Sequence, residues 1–165
     1  MSEAYLRGYT EPNPRDDFSG VDVCRKLVVL ARTVGFNVGM IDVMVEPFIP
    51  VQFLFEENPD RFVGKAKELD GYFSRKIERL RNDETIRYVA SILAQDTPKI
   101  RVSTEEVSKT SPLGSLEGSL NEIIITTEAY PLGHSIKAAG AGLLVTARNI
   151  RNDLLDLLPS RRIGK

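Results

Sequence analysis

A carboxylate and an ammonium group four residues apart, Asp22 and Lys26, are the first residues whose types and spacing indicate chemistry. On a helix this spacing places both side chains on one face, one turn apart. A lysine held by a carboxylate at the edge of a polar site can donate or accept a proton. The same spacing is found in ordinary surface ion pairs, which stabilise a helix by about 0.2–0.5 kcal/mol. Taken alone, the spacing favours the surface pair.

The segment ahead of this pair, residues 10–20, is predicted to be a polar, turn-rich loop that Pro12 and Pro14 stiffen. Two ordinary explanations exist for its acidic residues: they complement the dipole of a following helix by about 0.3–1 kcal/mol each, or they form turns. Neither explains why prolines should stiffen a loop that bears carboxylates. A binding site for a cationic, hydroxylated small molecule would explain it. Its candidate residues are Tyr9, Glu11, Asp16 and Asp17.

A helix that would carry the pair is predicted from about Gly20 to Val34. Ser19 followed by Asp22 matches a capping box, and Gly35 is a suitable residue to end the helix. Apolar residues at helical spacing predict its buried stripe: Val23, Leu27, Leu30, Ala31 and Val34.

The rest of the chain shows helix-like and strand-like patterns of apolar residues in a less regular order. Residues 41–55 suggest a strand or extended connection, and residues 58–81 a helix that Gly71 makes less regular. Strands are predicted at 86–93, 99–103 and 122–127, and a last helix at about 142–158. This order predicts a single α+β domain over 1–165, with a short-stranded, largely antiparallel sheet covered by helices.

Composition excludes several functional classes. The net charge of −1 and the scattered basic residues argue against a nucleic-acid partner. The apolar runs are too short to cross a membrane, and no secretory signal is evident, so a cytoplasmic location is expected, or a plastid one after removal of a transit peptide. Cys24 is the only cysteine, which rules out an intramolecular disulfide. His134 is the only histidine and is interpreted as a turn residue, so no metal site is predicted.

The stretch from Gly8 to Lys26 reads Gly-Tyr-Thr-Glu-Pro-Asn-Pro-Arg-Asp-Asp-Phe-Ser-Gly-Val-Asp-Val-Cys-Arg-Lys, and it closely resembles the signature of homoserine dehydrogenases. The resemblance implies interconversion of L-homoserine and L-aspartate 4-semialdehyde with NAD or NADP, in threonine and methionine biosynthesis. It implies that Lys26 is the acid/base residue and that Asp22 acts with it. It further implies that substrate is bound by Glu11, Asp22, Tyr9 and Asp17. The chain departs from the family pattern at Asn13, Phe18 and Cys24.

A second stretch, from Leu113 to Thr146, resembles the closing segment of the same family. The resemblance implies that its glycine turn faces the nucleotide pocket, which makes Gly142 and Gly140 the candidate cofactor contacts. A small-residue helix start that permits tight packing is the alternative explanation. Ala138 stands where the family often has the first glycine of this turn.

No G-x-G-x-x-G turn follows a strand anywhere in the chain, so the Rossmann nucleotide-binding domain is expected to be a separate partner. The family resemblance also implies a homodimer formed through this domain. Two functions therefore stay open: the catalytic part of the enzyme, inactive without its nucleotide-binding domain, or a non-catalytic dimerisation or metabolite-sensing module derived from it. A buried Lys26 together with an exposed apolar sheet face would favour the second.

Overall fold

The computed structural model describes residues 2–8, 10–95, 97–140 and 143–157. The chain divides into two compact units, Met1–Ser115 and Leu116–Lys165. Helices and small sheets are mixed within them, which confirms the predicted α+β class. In the described part of the chain no doubly wound parallel sheet is present.

In its described residues the first unit contains five α-helices and a three-stranded sheet. The sheet order is β1-β3-β2, with β1 parallel and β2 antiparallel to the central strand. Three short 3-10 helices lie between the main elements, at Met40–Asp42, Val51–Phe55 and Lys65–Leu69. The main elements are α1 (Ser2–Leu6), α2 (Pro14–Ser19), α3 (Val21–Thr33), β1 (Val43–Val45), α4 (Pro59–Gly64), α5 (Asp70–Ile77), β2 (Glu84–Leu93) and β3 (Lys99–Ser108).

The main core forms where α3 packs on this sheet. Ala31 from the helix and Val102 from β3 are both fully buried. The predicted stripe is wrong at Leu30 and Val34, which are 42% and 68% exposed, because the buried face of α3 lies further round the helix. The buried cluster consists of Cys24, Leu27, Val28, Ala31, Val38, Val43, Ile100 and Val102.

Helix α3 ends as predicted. Gly35 has φ +98°, a backbone conformation that glycine adopts without a steric penalty. Its N–H donates to the Arg32 carbonyl oxygen and the Phe36 N–H donates to the Ala31 carbonyl oxygen, both at 3.0 Å. This pair of hydrogen bonds is the Schellman motif, which satisfies carbonyls that the helix leaves open.

The loop predicted over residues 10–20 is partly helical, because α2 occupies Pro14–Ser19. Asn13 is extended and accepts a hydrogen bond from the Arg15 N–H at 3.2 Å, and Pro14 stands at the first helical position, where its missing N–H costs nothing. The capping box predicted from Ser19 and Asp22 does not form. Gly20 is the N-cap of α3, and the Ser19 hydroxyl instead accepts from the Val21 N–H.

Residues 58–81 form two short α-helices and a 3-10 helix rather than one continuous helix. The interruption lies at Lys65–Leu69, ahead of the predicted weak point at Gly71. The segment closes over a second apolar cluster built on Ile49, Phe62 and Leu69. Phe18 of α2 belongs to this cluster, with its ring centre 5.8 Å from that of Phe62.

Within residues 116–140 and 143–157, the second unit contains a β-hairpin and a helix. Strands β4 (Leu120–Ile125) and β5 (His134–Ala139) pair antiparallel, and α6 spans Leu143–Leu157. The last helix was predicted, but β5 was missed, and His134 lies in a strand rather than in a turn. On one face of the hairpin Glu122 accepts a hydrogen bond from the Ser135 hydroxyl and pairs with Lys137, whose Nζ lies 3.6 Å from Oε1.

Candidate functional site: the α2–α3 corner

The predicted pair forms on α3. Lys26 Nζ donates to Asp22 Oδ2 at 2.7 Å, one helical turn away. The lysine side chain is 62% exposed and the aspartate side chain 18%. The buried residues of α3 lie on its other side, so the helix is anchored by its core face and presents this pair on the opposite one. The ammonium group is therefore open to a ligand while its carboxylate partner is held in place.

Asp17 of α2 closes the preceding loop. Its Oδ2 accepts a hydrogen bond from the backbone N–H of Glu11 at 2.9 Å. Burial raises the pKa of the Asp17 carboxyl, and the negative charges of Glu11 and Asp22 raise it further, while that hydrogen bond and the charge of Lys26 oppose the shift. The structure therefore brings four of the predicted residues, Glu11, Asp17, Asp22 and Lys26, close enough for their charges to act on one another.

The site thus combines three carboxylates with one lysine, Lys26. An excess of negative charge in a partly desolvated place attracts a cation, and an amino acid carries an ammonium group. The lysine at its edge supplies a donor for an oxygen that gains negative charge. Together these features suit a small, hydroxylated ammonium compound that undergoes proton transfer.

Three contacts fix the corner between α2 and α3. Gly20 joins the two helices with φ +81°, and a side chain there would overlap the Tyr88 hydroxyl. The Phe48 N–H donates to the Phe18 carbonyl oxygen of α2 at 2.9 Å. The Arg15 guanidinium donates to the Leu54 carbonyl oxygen at 3.2 Å. Tyr88 was not predicted, since nothing near it in the sequence relates it to Gly20.

The three departures from the family pattern all have structural roles in this region. Asn13 caps α2, Phe18 joins the aromatic cluster and Cys24 is buried in the main core. Burial raises the pKa of the Cys24 thiol, so it behaves as a small core residue, as predicted. None of the three replaces one of the charged site residues.

The remaining predicted residues lie elsewhere or are not described. Tyr9 and Gly142 fall outside the described residues. Gly140 lies in the second unit, where its N–H donates to the Ser119 carbonyl oxygen at 2.8 Å and a side chain would overlap that of Asn121. The close approach at Gly140 is therefore made by protein atoms, which agrees with the tight-packing explanation.

Two features are absent from the described ranges of the chain. No helix there is long and apolar enough to cross a membrane. Across the same ranges, no group of three or more His, Cys, Asp or Glu side chains is arranged to hold a metal ion. His134 contacts Tyr130, with ring centres 5.7 Å apart.

Comparison with known proteins identifies the family. The homoserine dehydrogenase family model matches residues 1–155. A bifunctional aspartokinase/homoserine dehydrogenase of Buchnera aphidicola is 40% identical over 94% of this chain, which spans 19% of that relative's length. A Candida auris protein of unknown function superposes with a TM-score of 0.79 at 33% identity, covering 94% of this chain and 44% of that one. A Staphylococcus aureus homoserine dehydrogenase shares the fold with a TM-score of 0.65 at 22% identity, covering 94% and 35%. The chain therefore belongs to the homoserine dehydrogenase family.

Proposed function

We propose that this chain supplies the substrate-binding and acid/base part of an NAD(P)-dependent homoserine dehydrogenase, which interconverts L-homoserine and L-aspartate 4-semialdehyde. The observation that carries the proposal is the cluster at the α2–α3 corner, where Glu11, Asp17, Asp22 and Lys26 interact. Both substrates are amino acids with an ammonium group and one reacting oxygen. The cluster offers carboxylates for the first and a lysine for the second.

Each residue has a distinct task in this proposal. Glu11 and Asp17 bind the ammonium group of the substrate, and their backbone-to-carboxylate hydrogen bond keeps the loop in shape. Asp22 holds Lys26 in place through the 2.7 Å contact. When the aldehyde is reduced, Lys26 Nζ donates to the oxygen that gains negative charge. In the oxidation direction the same atom, acting as the neutral amine, receives the proton from the hydroxyl group and becomes the ammonium, while the hydride leaves to the nicotinamide. Tyr9 is proposed to line this pocket.

The cofactor, NAD or NADP, needs a second domain. The nicotinamide supplies or accepts the hydride when it is bound, and this chain's own residues hold the substrate and its proton. The chain has no G-x-G-x-x-G turn after a strand, and the space beside Gly140 is filled by Asn121. Gly142 is the proposed contact to the cofactor, and a Rossmann domain of the same enzyme is the proposed binder of its phosphates.

The proposal includes a homodimer and a place in threonine and methionine biosynthesis, in the cytoplasm or a plastid. A purely non-catalytic dimerisation or sensing role would be supported by a buried Lys26 together with an exposed apolar sheet face. It is not favoured, because the lysine is 62% exposed and the two features do not occur together. The chain spans about a fifth of the length of the bifunctional relative it matches, so activity is proposed for the assembled enzyme rather than for this chain alone.

A complementation assay tests the proposal. This chain is mixed with a separately expressed nucleotide-binding domain of a homoserine dehydrogenase, and NADPH formation from homoserine is followed at alkaline pH. Activity is expected only on mixing, and the Lys26→Ala chain is expected to bind the partner domain without restoring turnover. Binding of the two pieces with no turnover by the parent chain would contradict the catalytic role.

A further inference from the structure

We infer that Tyr88 is a positioning residue for this site, whose hydroxyl fixes the corner between α2 and α3 and so the placement of Asp17 relative to Asp22 and Lys26. The inference rests on the proposed function. Tyr88 lies on β2, outside the signature stretch, and acts through Gly20 and Glu46.

The corner is packed directly against the Tyr88 hydroxyl. Gly20 ends α2 and begins α3 with φ +81°, a conformation that side-chain-bearing residues rarely adopt. A Cβ at this position would overlap the Tyr88 hydroxyl oxygen and would lie 2.8 Å from Val45 Cγ1. The Tyr88 hydroxyl therefore limits how closely the corner between α2 and α3 can approach the sheet.

Hydrogen bonds attach the Tyr88 hydroxyl to the sheet through Glu46. The hydroxyl donates to the Glu46 carbonyl oxygen at 2.6 Å, and the Glu46 N–H donates to the Val102 carbonyl oxygen of β3 at 2.8 Å. The Tyr88 ring meets the Phe48 ring edge-on, with centres 5.4 Å apart. One short segment, residues 46–48, therefore connects the tyrosine to the central strand.

The same segment holds α2. The Phe48 N–H donates to the Phe18 carbonyl oxygen at 2.9 Å, so α2 is attached to residues 46–48 two residues before the glycine. Asp17 precedes this attachment by one residue, and Asp22 follows the glycine by two. A small rotation at the corner would therefore displace the first carboxylate relative to the second, and with it Lys26.

The hydroxyl keeps its donor proton through the range in which the enzyme is assayed. Burial raises the pKa of Tyr88 to about 12, and the negative charge of Glu46 contributes to the shift. The hydrogen bond to the Glu46 carbonyl therefore does not weaken through ionisation at alkaline assay pH. Any effect of its removal on the pH profile would come from the site that it positions.

The first test is Tyr88→Phe in this chain assembled with a nucleotide-binding domain. A displacement of about 1 Å in a site can cost about 100-fold in rate, so kcat is expected to fall about 10- to 100-fold, more than KM rises, with a changed pH profile of kcat. Tyr72→Phe, which removes a hydroxyl from a ring packed on Phe73 of α5, is the matched control and should leave kcat unchanged. An unchanged kcat and pH profile in Tyr88→Phe, with or without a lower Tm, would overturn the inference.

A double variant tests the contact itself. Gly20→Ala is expected to be nearly inactive, because its new methyl group overlaps the tyrosine hydroxyl. Adding Tyr88→Phe removes that oxygen, so the double variant should be more active than Gly20→Ala alone, although the positive φ and Val45 still limit it. A double variant whose losses simply multiply would show that the contact does not couple the two residues.

The Lys26→Ala chain separates this inference from the proposed function. If it is as active as the parent, the proposed function and the positioning role both fail. If it is inactive while Tyr88→Phe behaves like the parent, the proposed function stands and only the positioning role fails. The inference is supported when Lys26→Ala is inactive and Tyr88→Phe is impaired in kcat.

Discussion

Replacing Lys26 with alanine is expected to remove catalysis and leave the fold almost unchanged. The lysine side chain is 62% exposed, and its contact with Asp22 is a surface ion pair between residues four apart. Such pairs contribute about 0.3–0.5 kcal/mol to stability. Alanine has the highest helix propensity, which offsets part of that loss. For a chain of this length, the change corresponds to a fall in Tm of about 1–2 °C.

The catalytic loss should be far larger. A positioned acid/base group contributes about 100- to 10,000-fold to rate, equivalent to about 3–5 kcal/mol in the barrier. The measurements are kcat for homoserine in the complemented enzyme and Tm of the chain by circular dichroism. A drop in kcat below tenfold would refute the acid/base assignment. A drop in Tm of more than about 5 °C would show that the ion pair is structural in a way that its exposure does not indicate.

Lys65→Ala is the matched control for this experiment. Lys65 Nζ lies 2.8 Å from Glu56 Oε2, and its side chain is 47% exposed, so the two lysines make ion pairs of similar length and partial exposure. No role in the site is proposed for Lys65. Its replacement should shift Tm about as much as that of Lys26 and leave kcat at the parent value. Equal losses of kcat in both variants would contradict a specific role for Lys26.

Three further predictions concern the corner, the core and the helix end. Asp17→Asn keeps an acceptor for the Glu11 N–H and removes a carboxyl group whose pKa is raised in the folded state. The stability of the parent should therefore fall relative to that of the variant as the pH rises above 3.8, and urea unfolding at several pH values measures this difference. The variant should also have a higher KM for homoserine. Leu27→Ala should lower the free energy of unfolding by about 2–5 kcal/mol, and a loss under about 1 kcal/mol would contradict its place in the core. Gly35→Ala should lower the free energy of unfolding by about 1–2 kcal/mol, because the φ of Gly35 is positive. Gly64 has a helical φ of −60°, so Gly64→Ala should raise the free energy of unfolding by about 0.4–1 kcal/mol. Thermal melts of the two variants compare these effects.

Much of α3 and its charged pair could be predicted because the relevant signals are local. The Asp22–Lys26 contact follows from helical spacing alone, and Gly35 is a direct signal for a helix end. The start of α2 was also readable, since Asn13 followed by Pro14 is a standard N-cap and first-position pair, although the prolines were interpreted as marks of an irregular loop. The contact between Asp17 and Glu11 is also local, because it joins residues six apart at the start of α2.

What could not be predicted depends on contacts between distant residues. The rotation of α3 that exposes Leu30 and buries Cys24 is set by Val102 and its neighbours on the sheet. Strand β5 lacks the β-branched run that marks a strand and is defined by its pairing with β4. Likewise, no local pattern relates Tyr88 to Gly20, and the corner of the site is understood only when both are seen together.

The hairpin of the second unit has a consequence for how the protein must be made. Its strands are joined by residues 126–133 and pair with each other, so the hairpin can form within microseconds once both strands have been synthesised. Three consecutive isoleucines, Ile123 to Ile125, are 37–46% exposed, and a two-stranded sheet leaves two unpaired edges. Nascent chains at high concentration therefore offer one another a template for edge-to-edge association. The Lys137 side chain on β5 is 43% exposed and places a positive charge on this hairpin, so Lys137→Gln should lower the soluble yield on overexpression.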